Sequence, residues 1–183
     1  MSQYKKHLPN LLTLSRGVFV VLIALLFYTS LPYKFHLIFI LFSIAGISDI
    51  LDGKLARKWE VKTNFGIVFD SLFDKVLTIS MYLFLIPYNL IHPGVFVALV
   101  FRDIIIDGIK NYSLSRGRPI PARRSGKNKM VAQTAMIFIA LLLLIFPNQS
   151  LLSTCLLIAA ASALFFSYYS AIIYIYDWLN PND

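Results

Sequence analysis

The stretch SDILDGKLARKWEVKTNFGIVFDSLFDK, residues 48–75, sets four aspartates, Asp49, Asp52, Asp70 and Asp74, at the junction of two long apolar runs. Asp49 and Asp52 are three residues apart at the end of the first run, and Asp70 and Asp74 are four apart near the start of the second. Those spacings put each pair on one face of a helix. A short link joins the runs, so the two helices are expected to be antiparallel neighbours with their acidic ends at similar depth.

Outward from this stretch the chain is hydrocarbon-like. Of its 183 residues 58% are hydrophobic, and the mean hydropathy is +0.71, which excludes an ordinary soluble domain. Backbone polar groups in lipid must be satisfied within the protein, leaving helices or closed barrels. The apolar runs are long and do not alternate, so the expectation is an all-α integral membrane protein. One cysteine, Cys155, lies inside an apolar run and is read as packing. The first run, from Leu11, has no small-residue cleavage site before SLPYKF and is read as a retained helix.

A span needs roughly 20 residues, and six runs of that order are present: about 11–29, 35–53, 65–88, 94–114, 127–146 and 151–178. Pro32, the pair Pro93-Gly94, Pro147 with Asn148, and the loop SRGRPIPARRSG, residues 115–126, punctuate them. Basic residues sort the ends. Lys5, Lys6 and Arg16, then Lys54, Arg57, Lys58 and Lys62, then Arg116, Arg118, Arg123, Arg124, Lys127 and Lys129 lie on one side, against Lys34 on the other. Cytoplasmic loops collect such charge. The six-transmembrane-helix bundle is therefore expected to have both termini cytoplasmic, as a single domain over residues 1–183. The net charge of +8 then sits in membrane loops, which favours anionic headgroups or phosphorylated substrates and gives no reason to expect nucleic acid.

Ionised residues within a span are costly and normally face a partner inside the bundle. Four convergent carboxylates would raise one another's pKa unless cations supply charge. A hard divalent ion meets that need, Mg2+ or Mn2+, since the ligands are all oxygen and no His or Cys lies in the cluster. The plainer alternative is neutralisation by Lys54, Arg57, Lys58 and Lys75 as structural ion pairs. Gly53 and Gly66 supply places of close ligand approach.

The array Asp49-x-x-Asp52-Gly53-x-x-Ala56-Arg57, followed by Gly66-x-x-x-Asp70-x-x-x-Asp74, resembles the complete signature of the CDP-alcohol phosphotransferase family, eight specified residues at fixed spacing. The resemblance implies a six-helix bundle, a homodimer, a site facing the cytoplasm from a bacterial inner membrane, and two divalent ions, Mg2+ or Mn2+. By position, Asp49, Asp52 and Asp70 match metal ligands. Asp74 belongs to the same ligand set and matches the general base. Gly53 and Ala56 match residues of the cytidine pocket, Arg57 one that holds the nucleotide phosphate, and Gly66 completes the donor-binding set. The donor implied is CDP-diacylglycerol.

The segment LPNLLTLSR, residues 8–16, is similar to the start of both the phosphatidylglycerophosphate synthase and the cardiolipin synthase branches of that family and does not separate them, whereas GKNKMVAQ, residues 126–133, is similar to a segment of the former; Met130 stands where Thr is usual there, and Arg102-Asp103, a pair shared with the cardiolipin synthases, where Arg-Glu is usual. Arg102, Lys127 and Lys129 supply a cationic site suited to a phosphate on the acceptor, so glycerol 3-phosphate is the expected acceptor alcohol. A cardiolipin synthase of the same fold, taking phosphatidylglycerol, is the alternative. Plainer roles exist for each: Arg102 paired with Asp103 or another aspartate, the lysines snorkelling at the interface. Cation or proton-coupled transport is the competing class, but neither a repeat nor a centrally broken helix is present. Tyr28, Tyr33, Tyr88 and Tyr174 are read as an aromatic belt. His7, His36 and His92 are read as interfacial polar residues. Ala159 and Ala163 make a small-xxx-small spacing that packs either within the chain or between copies.

Overall fold

The computed structural model describes residues 17–58, 64–118, 120–121 and 123–180, and their side chains apart from those of residues 49–71. Among the described residues the secondary structure is helical throughout: α1 (Gly17–Tyr28), α2 (Lys34–Lys58), α3 (Asn64–Leu85), a 3-10 turn (Ile86–Tyr88), α4 (Pro93–Ser115), α5 (Arg124–Ile145) and α6 (Ser150–Leu179). The N-terminal motif at residues 8–16 and His7 lie outside them. Of these helices, α5 and α6 are long and apolar enough to cross a membrane, and only 33% and 22% of their apolar windows are buried within the protein. Phe101, Ile104, Val131, Leu157, Phe165 and Ile172 are among the large apolar side chains left outside. Surface of that kind suits lipid and would be an aggregation liability in water.

Three helix ends differ from the sequence expectation. α2 runs on past Gly53 to Lys58, so Lys54, Arg57 and Lys58 belong to a helix and not to a loop. Leu, Ala, Arg and Lys are strong helix formers, and one internal glycine costs only about 1 kcal/mol. α3 stops at Leu85 because Pro87 has no N–H to donate and disfavours α geometry at Ile86; Asn89, left-handed at φ 58°, closes the turn. α5 begins at Arg124, three residues early, and takes Ser125 and Gly126 into its first turn.

The chain divides into two compact units, Met1–Phe84 and Leu85–Asp183. In the first, Lys34 Nζ donates to the carbonyls of Phe27 (3.2 Å) and Thr29 (3.1 Å), satisfying acceptors left open where α1 ends. Phe27 stacks on Phe84 with ring centroids 4.5 Å apart, tying α1 to α3. At the other end of α1 the contact is tighter still. A methyl group on Gly17 would come within 2.8 Å of Phe73 Cε1, so the absent side chain is what lets α1 approach α3 one residue before Asp74.

In the second unit α6 packs against both α4 and α5. Its inward stripe is small: Ala163, Ser167, Ser170 and Ala171 are buried, followed by Tyr174. The small-xxx-small spacing thus faces the interior at Ala163. α4 opens with His92 as N-cap, its Nδ1 accepting from Gly94 N at 3.0 Å, and Pro93 at the first helical position. It closes at Gly117, left-handed at φ 72°, with Arg118 N bonded to Ser113 O at 3.0 Å.

Candidate functional site

The signature aspartates fall on two consecutive helices. Asp49 and Asp52 lie in the second half of α2, Asp70 and Asp74 in the first half of α3, with residues 59–63 between. Gly53, Ala56 and Arg57 belong to α2 and Gly66 to α3; their side-chain geometry, like that of Asp49, Asp52 and Asp70, lies outside the described residues. Asp74 is half-buried, and its carbonyl accepts from Thr78 Oγ1 at 3.0 Å. An all-carboxylate donor set on two linked helices fits a hard divalent cation in its chemistry.

The expected acceptor residues lie in the second unit, and two of the three are brought together. Arg102, 6% exposed, donates from one terminal nitrogen to Asp103 Oδ1 at 2.8 Å and from the other to Ser170 Oγ at 2.9 Å. Lys129 Nζ reaches the same carboxylate, 2.9 Å from Oδ1 and 3.0 Å from Oδ2. Three helices therefore meet on one polar knot: α4 through Arg102 and Asp103, α5 through Lys129, α6 through Ser170. Lys127 is exposed and stands apart from it.

Two cations around one carboxylate leave the knot with a formal surplus of one positive charge. Arg102 is buried while Asp103 and Lys129 are 21% and 18% exposed, and a surplus held partly out of water attracts an anion. The plainer role weighed for Arg102, pairing with Asp103, is present; the further role of Asp103 in also gathering Lys129 was not read from the sequence. Nor was Ser170 singled out, although Ser167 and Ser170, three apart in a largely apolar helix, share one face.

The loop before α5 is held by α6. Arg123 places its guanidinium on Asp177, 2.9 and 3.0 Å to the two oxygens; that hydrogen bond first, and the carboxylate's charge second, raise the Arg123 pKa above its ordinary value. Arg123 N donates to Tyr174 Oη at 3.2 Å, and Lys110 Nζ sits 3.8 Å above the centre of the same ring. Tyr174 is 3% exposed. It is therefore an interior residue and not part of an aromatic belt, whereas Tyr28 and Tyr33 are exposed. α6 continues past it to Leu179, which leaves Tyr174 an interior position against Ile106 and Ala171.

The described residues are thus helical throughout, with two helices long and apolar enough to cross a membrane, paired aspartates on consecutive helices and a cationic knot in the second unit. The chain matches the CDP-alcohol phosphatidyltransferase family over residues 6–175, across both units, and belongs to it. Similar curated proteins include the CDP-diacylglycerol-glycerol-3-phosphate 3-phosphatidyltransferases of Mycoplasma pneumoniae, 39% identical over 101 residues that make up 55% of this chain and 44% of that protein, and of Rickettsia typhi, 30% identical over 137 residues, 75% of this chain and 77% of that protein. The Mycoplasma genitalium protein of the same name is 31% identical over 71% of this chain and 62% of its own length. The chain thus spans less than two thirds of each of the two mycoplasmal relatives.

Proposed function

We propose that this protein transfers the phosphatidyl group of CDP-diacylglycerol to glycerol 3-phosphate, giving phosphatidylglycerol phosphate and CMP. The observation that carries the choice of acceptor is the knot of Arg102, Lys129 and Asp103, whose surplus positive charge suits a phosphorylated alcohol and has no use for a neutral one. Family membership and the names of the relatives support the donor and the reaction.

The acceptor hydroxyl oxygen forms a bond to the lipid-bearing phosphorus, the bond from that phosphorus to the oxygen of CMP breaks, and CMP departs with the electron pair. Asp74 takes the hydroxyl proton as general base. Arg57 holds the nucleotide phosphate, and Gly53, Ala56 and Gly66 leave room for the donor. Arg102, Lys127 and Lys129 orient the acceptor phosphate. Asp49, Asp52, Asp70 and Asp74 would hold divalent ions, Mg2+ or Mn2+, which when bound would supply polarisation of the phosphorus and stabilisation of the departing phosphate. The setting we infer is a six-span homodimer in a bacterial cytoplasmic membrane, termini and site on the cytoplasmic side, with the donor's acyl chains between helices in the bilayer.

The test is CMP release by the purified protein with CDP-diacylglycerol and Mg2+, comparing glycerol 3-phosphate with phosphatidylglycerol, each with and without EDTA. Metal-dependent release with glycerol 3-phosphate alone is the expected result. Release with phosphatidylglycerol alone would make the protein a cardiolipin synthase.

A further inference from the structure

The polar knot continues deeper than its ion pairs. Arg102 Nε, Gln133 Nε2 and Ser167 Oγ are buried without a hydrogen-bond partner among the described residues, and the three residues are 6%, 4% and 0% exposed. Gln133 follows Lys129 by four residues on α5, and Ser167 precedes Ser170 by three on α6, so each stands on the same helical face as a member of the knot. Because α5 and α6 pack together and are joined by residues 146–149 alone, they run antiparallel. Four residues forward on α5 and three back on α6 are then steps in one direction, one turn toward the helix connection. Gln133 and Ser167 form a second tier on the same side of the first.

The chemistry of this tier leans toward donation. A guanidinium Nε–H and an amide N–H2 only donate, and a hydroxyl can donate. Buried donors are ordinarily satisfied, and an interior that gathers several unsatisfied ones is short of an acceptor. A phosphate, with several strong acceptor oxygens and charge opposite to Arg102 and Lys129, satisfies both the donors and the charge surplus.

We propose that Gln133 and Ser167, with Arg102 Nε, are the inner wall of the acceptor-phosphate site, so that oxyanion recognition reaches one helical turn beyond the ion pairs and depends on two uncharged residues. This rests on the reading of the acceptor as a phosphorylated alcohol. Lys127, exposed at the start of α5, is then an outer guide, and the inner wall is what distinguishes a phosphate from a lone hydroxyl.

The experiment uses the full chain in detergent, in phosphate-free buffer, with no donor present. Thermal unfolding is followed with glycerol 3-phosphate, inorganic phosphate, or glycerol, for the wild type and for Ser167→Ala and Gln133→Met; KM for glycerol 3-phosphate and for CDP-diacylglycerol is measured alongside. The wild type is expected to be protected by glycerol 3-phosphate and by phosphate but not by glycerol. Each variant should lose most of that protection and show KM for glycerol 3-phosphate raised roughly tenfold, as for loss of one charge-assisted hydrogen bond, with KM for CDP-diacylglycerol unchanged. Without ligand, Ser167→Ala should be no less stable than wild type, because the hydroxyl it removes is unpaired; it also carries the test should Gln133→Met fail to fold. Full protection and unchanged KM in both variants would overturn the inner wall while leaving the proposed function intact. A wild type that releases CMP with phosphatidylglycerol and is not protected by glycerol 3-phosphate would overturn the proposed acceptor and the inner wall with it.

Discussion

Lys129 Nζ lies 2.9 Å and 3.0 Å from the two carboxylate oxygens of Asp103, a residue 26 positions earlier in the chain and next to Arg102. A carboxylate so placed keeps two cations near each other that would otherwise repel. The second unit's polar interior hangs on this one side chain, which is itself 21% exposed.

Asp103→Ala should leave Arg102 and Lys129 facing each other without compensation. Removing one partner of a buried ion pair costs about 3–5 kcal/mol, and the partial exposure of Asp103 places the expectation at the lower end. Thermal unfolding in detergent measures it. Asp103→Glu keeps the charge and should retain most of the stability; equal losses in the two variants would count against a role for charge.

Gly126→Ala should destabilise the start of α5. The new methyl would stand 2.9 Å from Tyr174 Oη but 3.7 Å from its ring carbons, an overpacking worth about 1–3 kcal/mol. Tyr174→Phe removes the clashing oxygen, so the double variant should be more stable than the sum of the single losses. A double-mutant cycle of unfolding midpoints reads the coupling.

Asp74→Asn should reduce CMP release by roughly 10^2–10^4-fold, the usual contribution of a general base, with KM for CDP-diacylglycerol within a few-fold of wild type. Rapid quench with labelled donor is the measurement. EDTA should abolish release, and added Mg2+ restore it, if the aspartates hold the ion as proposed.

Arg123 has its pKa raised by Asp177. A group with a raised folded-state pKa contributes stability in full below its unfolded value and loses it only as pH climbs through the folded one. For an arginine both lie above the working range. The stability difference between wild type and Arg123→Met should therefore be flat from neutral to mildly alkaline pH and should shrink with salt, because the guanidinium is half exposed. Unfolding midpoints at several pH values and two ionic strengths check both.

Much of the helical plan is legible in local sequence. Pro93 and Gly94 open α4, Gly117 closes it, and Pro147 with left-handed Asn148 separates α5 from α6. These residues act through their own φ preferences or missing N–H groups, which depend on no distant partner. The expected end of the second run at about residue 53 was short, because α2 carries on through Gly53 to Lys58.

The four-aspartate array was equally plain, because its residue types recur at helical spacings and a linear chain records them. Composition likewise told that the chain forms long apolar helices. Only the tertiary structure decided that Arg102 meets Ser170 across 68 positions and shares Asp103 with Lys129, that Tyr174 turns inward to take Arg123 N and Lys110, and that Gln133 and Ser167 are buried on one side of the knot. Helical periodicity states which face of each helix is polar. Which polar face meets which is set by packing, here by a small-residue stripe on α6 narrow enough to bring α4 and α5 against it.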